Sequence, residues 1–184
     1  MTLVAPVAPR WVFGYGSLIW RPDFEFTDRR ICEVRGWTRR FWQGSPDHRG
    51  TAAQPGRVVT LIEAPSAVCV GAAYRVPDAA LNQVLDYLGV REAAGYERLD
   101  VDIFGQGDDG QSFGAGITYV AGPGNPSFLG PAPLAAMVRH IQQCHGPSGA
   151  NAEYVLELAA ALSGLGVDEP HIAELAARLR EDAA

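Results

Sequence analysis

WVFGYGSLIW, residues 11–20, is a short apolar strand that runs directly into a turn with two glycines. Residues 11–15 have the aromatic and β-branched composition of a buried strand. Gly14 and Gly16 flank Tyr15 just as this strand ends, which lets the backbone turn sharply and bring successive N–H groups close to a ligand. Such a turn can hold an anion, although an ordinary turn at a strand end has the same sequence signature.

The turn matches none of the standard phosphate-binding or nucleophile motifs. The residue three positions after Gly16 is Ile19, which breaks the spacing of a dinucleotide-binding fingerprint, and the segment is not a Walker loop either. Residues 15–19 also fail the Gly-x-Ser-x-Gly elbow of serine hydrolases. The sequence therefore predicts a backbone turn that can bind an anion, and leaves the anion open.

Outward from this turn, the sequence predicts further strands and one inserted helix. The strands are predicted at residues 31–42 with a break near Gly36, 57–63, 68–76, 96–104 and 113–120, the last two joined by a turn at 105–110. Between residues 81 and 88 the apolar spacing becomes helical. This helix is predicted to start from an N-cap at Asp78 and to end near Arg91.

The last third of the chain has the apolar spacing of three amphipathic helices. Their predicted core stripes are Leu134, Met137, Val138 and Ile141, then Val155, Leu156, Ala159 and Leu162, then Ile172, Leu175, Ala176 and Leu179 after Pro170. Strands first and helices later indicate an α+β fold around a mixed or mainly antiparallel sheet that can close into a barrel. We expect a single domain at 11–184, with residues 1–10 as a loose N-terminal arm.

Composition excludes several classes of function. The net charge of −6 argues against nucleic-acid binding, which depends on a basic surface. No apolar run approaches the ~20 residues of a membrane-spanning helix, and the N-terminus lacks the features of a secretion signal. The three cysteines and four histidines lack the spacing of a disulfide framework or a metal site. We therefore expect a cytoplasmic protein without metal or cofactor.

All 15 basic residues are arginine, and lysine is absent. Schiff-base chemistry and a Walker-type lysine are thereby excluded. Seven of the arginines fall between residues 29 and 57, which indicates either a pocket for a carboxylate, because the guanidinium fork matches that group, or a solvated strand face. Arg39 and Arg40 are candidate carboxylate ligands. On a strand they point to opposite faces, so at most one should reach inward.

Glu92 is the candidate proton-transfer group. It follows the last apolar turn of the predicted helix, beside Val90 and Ala93. A carboxylate at the negative end of a helix in apolar surroundings should have a raised pKa, in the range useful to a general base. A surface ion pair between Arg91 and Glu92 is the alternative interpretation.

The sequence closely resembles the ChaC family of glutathione-specific γ-glutamylcyclotransferases over nearly the whole stretch from residue 11 to about residue 162. The resemblance is carried by collinear motifs: WVFGYGSLIW (11–20), RRFWQGS (39–45), DHRG (47–50), PGRVVTL (55–61), YL (87–88), RE (91–92), GY (95–96), LGPAPL (129–134), GPSG (146–149) and EY (153–154). One departure is that Ala93 and Ala94 stand where relatives often carry a lysine and a second glycine.

The resemblance implies a γ-glutamylcyclotransferase-like α+β fold, a mixed, partly closed β-barrel sheet flanked by helices. It implies Glu92 as the catalytic acid and base. Substrate binding is implied at Val12, Phe13, Gly14, Tyr15, Gly16, Ser17 and Leu18. Tyr119 and Tyr154 are added as candidate pocket hydroxyls, although a buried tyrosine with a routine hydrogen bond explains each equally well.

The implied reaction converts glutathione, a small-molecule substrate, into 5-oxoproline and Cys-Gly. The substrate's own amine is the nucleophile, so the reaction needs neither a serine or cysteine nucleophile nor a metal. Two alternatives remain at this stage: a cyclotransferase for other γ-glutamyl amines or dipeptides, and a non-catalytic γ-glutamyl-binding protein of the same fold. The oligomeric state is left open.

Overall fold

The computed structural model describes residues 11–92, 94–107 and 110–182. The predicted arm at 1–10 lies outside the described residues, as do Ala93 and part of the predicted turn at 105–110. Within these ranges, strands dominate up to residue 120 and helices dominate after it, as the sequence pattern predicts.

Five strands form a closed barrel in the order β1-β3-β2-β4-β5. Their bounds are β1 Trp11–Gly14, β2 Asp28–Ser45, β3 Gly56–Arg75, β4 Glu97–Gly105 and β5 Gly114–Val120. β1 pairs antiparallel with β3, where Trp11 lies opposite Arg75, and parallel with β5, where Trp11 lies opposite Gly116. The remaining pairs are antiparallel. The predicted mixed sheet is confirmed, and its strand ladder closes completely.

The two strands predicted at 57–63 and 68–76 are one strand, β3. The prediction was wrong at residues 64–67, which contain Pro65 and separate the paired positions Glu63 and Val68. On β2 these four residues face the single Gly36, which has φ +82°. An irregularity of this kind accommodates proline and left-handed glycine without ending the strand.

Four helices complete the fold: α1 Leu81–Arg91, α2 Leu134–Gln143, α3 Asn151–Gly164 and α4 Pro170–Glu181. The N-cap predicted at Asp78 is wrong, because a hydrogen-bonded turn from Pro77 to Ala80 precedes α1 and places Ala80 at the cap. In α3 the buried apolar stripe is Tyr154, Val155, Leu158 and Leu162, whereas Leu156 and Ala159 are only partly buried. The stripes predicted for α2 and α4 pack into the core.

The apolar core has two parts. The larger part joins the barrel interior, with Phe13, Phe41 and Leu61, to the buried stripes of α2, α3 and α4. The smaller part lies under α1, where Val84 and Leu88 pack with residues of the barrel and of the turn after β1. A short hairpin links α2 to α3, and each of its strands, β6 His145–Gly146 and β7 Gly149–Ala150, has two residues. This packing brings the end of α1 beside the turn after β1.

Candidate active site

A cavity of about 270 Å³ lies where the turn after β1, the end of α1 and the start of α3 meet. Its volume is near the lower limit of small-molecule sites, about 300–1,000 Å³. The lining residues come from five segments: Phe13, Gly14, Tyr15, Gly16, Ser17, Leu18, Trp20, Arg21 and Asp23; Gly44, Ser45, Asp47, His48, Arg49, Val58 and Val59; Tyr87, Arg91, Glu92, Ala94 and Tyr96; Thr118 and Tyr119; Ser148 and Tyr154.

The turn after β1 forms one wall of the cavity. It continues into a short 3₁₀ helix at Ser17–Ile19, whose first bond runs from the Ile19 N–H to the Gly16 carbonyl over 2.9 Å. Backbone N–H groups at the start of a helix have no acceptor within that helix. A Cβ on Gly16 would lie 2.9 Å from the Tyr154 hydroxyl oxygen. The absence of a side chain at Gly16 therefore lets the turn and α3 approach this closely.

Glu92 occupies the C-cap of α1, and its N–H donates to the Leu88 carbonyl over 2.8 Å. Its side chain is 20% exposed. Burial raises the pKa of the carboxyl group; the Arg91 guanidinium, whose Nε lies 3.6 Å from Glu92 Oε1, opposes this rise, and the Asp47 charge adds to it. A carboxyl group with a raised pKa is suited to accept and return a proton near neutral pH.

Four tyrosines surround this carboxylate. Burial, followed by the nearby Glu92 charge, raises the pKa of Tyr15 and of Tyr154. Burial also raises the pKa of Tyr96 and of Tyr119. The Tyr15 hydroxyl donates to the Tyr119 carbonyl over 2.7 Å. All four hydroxyls therefore stay protonated at neutral pH, and the single O–H of Tyr15 is already donated to the Tyr119 carbonyl.

The opposite wall is a polar contact between the loop after β2 and the β6–β7 hairpin. The Ser148 N–H donates to the His48 carbonyl over 2.9 Å, and Ser148 Oγ lies 3.2 Å from His48 Nδ1. The Arg49 guanidinium donates to the Ala150 carbonyl over 3.0 Å and to a Glu157 carboxylate oxygen over 3.2 Å. Its positive charge is therefore already paired.

Most of the site residues predicted from the sequence meet at this cavity. Phe13 to Leu18, Glu92, Tyr119 and Tyr154 line it. Val12 does not, because alternation along β1 turns its side chain toward α1, into the apolar cluster with Val84 and Leu88.

Neither predicted arginine lines the cavity, so the geometry does not match the carboxylate-binding role predicted for one of them. Arg39 does point inward, but its guanidinium is buried behind the turn. It donates to the Tyr15 carbonyl and to the Val70 carbonyl, each over 2.6 Å, and ion-pairs with Glu169. Arg40 donates to Thr38 Oγ1 over 2.8 Å. The donors of Arg39 are thus occupied by the fold.

Sequence reasoning missed several lining residues, among them Asp47, Arg49, Tyr96 and Ser148. Tyr96 follows Gly95, whose φ of +80° marks the chain reversal between α1 and β4. That glycine–tyrosine pair was a usable local signal. Arg49 and Ser148 are about 100 residues apart, and periodicity alone cannot bring such residues together.

The described residues contain no group of three or more His, Cys, Asp or Glu side chains arranged to hold a metal ion. None of their helices is long and apolar enough to cross a membrane.

The family model for ChaC-like proteins matches residues 10–182. The chain belongs to this family. Glutathione-specific gamma-glutamylcyclotransferase 1 of Homo sapiens is 46% identical over 169 residues, which cover 90% of this chain and 76% of the human protein. The protein of that name from Danio rerio is 41% identical, covering 96% of this chain and 92% of its own length. The glutathione-specific gamma-glutamylcyclotransferase of Schizosaccharomyces pombe is 35% identical, covering 98% and 97%.

Solved structures of the family agree with the fold. The crystal structure of a glutathione-specific gamma-glutamyl cyclotransferase from yeast superposes with a TM-score of 0.84 at 29% identity, covering 96% of this chain and all of that chain. A gamma-glutamyl cyclotransferase with 16% identity superposes with a TM-score of 0.54, covering 90% and 85% of the two chains. At that identity the likeness concerns the fold alone. The predicted fold class is therefore confirmed.

Proposed function

We propose that this protein is a γ-glutamylcyclotransferase that degrades glutathione to 5-oxoproline and Cys-Gly. The observation that carries the proposal is the cavity, which brings the half-buried Glu92 carboxylate together with the turn at residues 14–18 and with neutral tyrosine hydroxyls. The names of the relatives supply the substrate. The family match extends over almost the whole chain, which supports transferring that activity.

In the proposed reaction, the α-amine nitrogen of the γ-glutamyl group bonds to the γ-carbonyl carbon, and the amide bond to cysteine breaks. The substrate ammonium loses two protons as it becomes the ring N–H, and the departing amine gains two. No net proton is consumed. Because nucleophile and electrophile belong to one molecule, the protein's task is to fold the substrate, move protons and stabilise the oxyanion.

Glu92 is the proposed proton carrier. As a carboxylate it accepts a proton from the substrate ammonium, and as a carboxylic acid it delivers the proton to the leaving nitrogen. Both steps need a carboxyl group whose pKa is close to the working pH, and burial moves the pKa of Glu92 in that direction. The side chain keeps 20% exposure on the cavity side of the helix end.

The turn after β1 is the proposed anion-binding element. Backbone N–H groups around Gly16, Ser17 and Leu18 would hold either the substrate α-carboxylate or the developing oxyanion, each donor contributing on the order of 3 kcal/mol. The Tyr154 hydroxyl is packed against Gly16 and offers a further donor on the same side.

A cytoplasmic location, without a nucleic-acid or membrane partner, completes the proposal. Cys32, Cys69 and Cys144 are buried free thiols, which fits a reducing compartment. Glutathione is the only partner that the proposed activity requires.

The test is to incubate the purified protein with glutathione and to quantify 5-oxoproline and Cys-Gly by mass spectrometry. Wild type should release the two products in equal amounts. Glu92→Gln should lower kcat/KM by about 10²–10⁴, the usual contribution of general acid–base catalysis. The variant should fold, because its amide mimics the neutral carboxylic acid that burial already favours.

The matched control is Glu97→Gln, which removes an exposed carboxylate at the start of β4. It should retain wild-type kinetics. Absence of product from the wild type contradicts the proposed activity, and wild-type turnover by a folded Glu92→Gln contradicts the proposed mechanism. A panel of γ-glutamyl dipeptides and amines measures how far the specificity extends beyond glutathione.

A further inference from the structure

Arg91 bridges the end of α1 and the turn after β1. Its Nη2 donates to Ser17 Oγ over 2.8 Å, and its Nη1 donates to the Arg21 carbonyl over 3.3 Å. The same Nη1 contacts the Tyr87 hydroxyl, one helical turn earlier, over 3.3 Å. The side chain is only 16% exposed, and its Nε lies 3.6 Å from Glu92 Oε1. One guanidinium therefore contacts the proposed proton carrier and the proposed binding turn together.

We propose that Arg91 is a positioning residue that holds the Glu92 carboxylate against the substrate-binding turn through its ion pair with Glu92 and its hydrogen bond to Ser17. This inference rests on the proposed function, because it assigns Glu92 the proton transfer. Arg91 acts through these two side chains and has no bond-making role of its own.

The shape of the side chain supports this role. A planar guanidinium presents donors on three nitrogens in a fixed fork, so one side chain can serve several acceptors at once. Here the acceptors belong to α1 and to the chain that follows β1, which meet only through tertiary packing. The C-terminal turn of a helix frays readily. A clamp at Arg91 keeps Glu92 in place where α1 ends.

Charge gives Arg91 a second effect on Glu92. Six groups, each from a different segment, surround this carboxylate: Arg91 on α1, Asp47 in the loop after β2, Tyr15 in the turn, Tyr96 just before β4, Tyr119 on β5 and Tyr154 on α3. Of the two charged ones, Arg91 lowers the pKa of Glu92 and Asp47 raises it. Arg91 therefore offsets part of the burial effect and keeps a larger fraction of Glu92 ionised at neutral pH.

The two contacts predict separable consequences, measured by pH profiles of kcat/KM. Arg91→Gln removes the charge, so the acidic limb should move to higher pH, with a loss of rate at neutral pH. Arg91→Lys keeps the charge and loses the fork, so its acidic limb should stay near that of wild type while KM rises several-fold. Ser17→Ala removes only the bridge, so KM should rise without a shift of the limb.

Arg178→Gln is the matched control for net charge. It removes one arginine from the exposed face of α4, where Arg178 pairs with Glu181. Its pH profile should coincide with that of wild type. A purely structural role for Arg91 would lower the midpoint of thermal unfolding and leave the acidic limb in place. An unshifted limb in folded Arg91→Gln therefore overturns the inference.

An NMR titration of Glu92, which needs no substrate turnover, tests this inference separately from the proposed function. In protein labelled with ¹³C at the glutamate carboxyls, the Glu92 signal is assigned by comparison with Glu92→Gln and followed through a pH titration. Arg91→Gln should raise the pKa of Glu92 even if glutathione is not the substrate. An unchanged titration overturns the inference, whereas missing product in the wild type contradicts only the activity.

Discussion

Gly16 is the residue on which the close approach of the turn and α3 depends. The space around this position leaves no room for a side chain. A Cβ there would lie 2.9 Å from the Tyr154 hydroxyl oxygen and 3.1 Å from Val59 Cγ2. Both neighbours belong to the cavity lining, so an added methyl group disturbs the proposed site directly.

Gly16→Ala should therefore weaken both stability and catalysis. Overpacking of this kind costs about 1–3 kcal/mol in unfolding free energy, and displacement of Tyr154 should raise KM. Urea unfolding and steady-state kinetics measure the two effects. Gly124→Ala is the control, because a Cβ at this glycine meets nothing within 4 Å. Equal kinetics for both variants would contradict the steric role of Gly16.

Arg39 illustrates what a single sequence can and cannot predict for a residue. Strand alternation predicted that at most one of Arg39 and Arg40 would face inward, and Arg39 does. Its acceptors could not be predicted, because the carbonyls of Tyr15 and Val70 and the carboxylate of Glu169 reach it only through tertiary packing. The residue type indicated that an inward-facing arginine needs hydrogen-bond acceptors. It did not indicate which groups of the protein supply them.

At the scale of the elements, periodicity located every strand and helix of the barrel and its flanking layer, and its error in the number of strands lies at an irregularity. A break was predicted near Gly36 and a gap at residues 64–67, yet these positions face each other across one bulged pair of strands. Turn signals report local backbone geometry, and that geometry is the same in a bulge as at a strand end. Only the partner strand distinguishes the two.

Three elements are joined by the Arg39 side chain: the turn after β1 through Tyr15, β3 through Val70, and the start of α4 through Glu169. Arg39→Met should lower the free energy of unfolding by about 3–5 kcal/mol, because it leaves one partner of a buried ion pair alone. The 20% exposure of Glu169 favours the lower value. Chemical denaturation followed by tryptophan fluorescence measures the loss.

Glu169→Gln tests the contact between Arg39 and the start of α4 with a smaller chemical change. The amide oxygen can still accept from Arg39, so the cost should be smaller, about 1–2 kcal/mol. Substitutions with equal effects would indicate that the charge of Glu169, and not the linkage through Arg39, stabilises the junction. The turn carries the proposed anion site, so Arg39→Met should also raise KM.

At the scale of the whole molecule, we expect the stability of the fold to depend on pH through His171, at the start of α4. His171 Nε2 accepts the Phe41 N–H over 3.2 Å, which requires the neutral ring. Burial, followed by the charges of Arg40 and Arg57, lowers the pKa of His171 to about 4, against 6.5 for an ordinary histidine. The unfolded chain therefore takes up this proton first. Stability should be fully present above about pH 6.5 and be lost as pH falls toward 4.

Urea unfolding of wild type and His171→Gln at several pH values between 7.5 and 4.5 measures this contribution. Glutamine can accept the Phe41 N–H without titrating, so the variant should lose less stability than wild type over this range. His145→Gln, at an exposed position on β6, should follow wild type. Parallel pH profiles for wild type and His171→Gln would contradict a buried neutral imidazole.

Assembly of the cavity was the part of the whole molecule least accessible to sequence reasoning. The turn residues and Glu92 were found because each has a local signature in glycine spacing or at a helix end. Arg49 and Ser148 have no such signature, and they line one cavity only because the β6–β7 hairpin lies against the loop after β2. Their contribution depends on contacts across about 100 residues.

The parallel pairing of β1 with β5 has a consequence for how the protein is made. Trp11 lies opposite Gly116, about 100 residues further along the chain. A ribosome adding about 5–20 residues per second synthesises that segment roughly 5–20 seconds after the first strand. Until then the strand and its glycine turn have no barrel to complete. A chain interrupted before residue 116 therefore carries the glycine turn and Glu92 but lacks β5 and α3, so the barrel around them stays open.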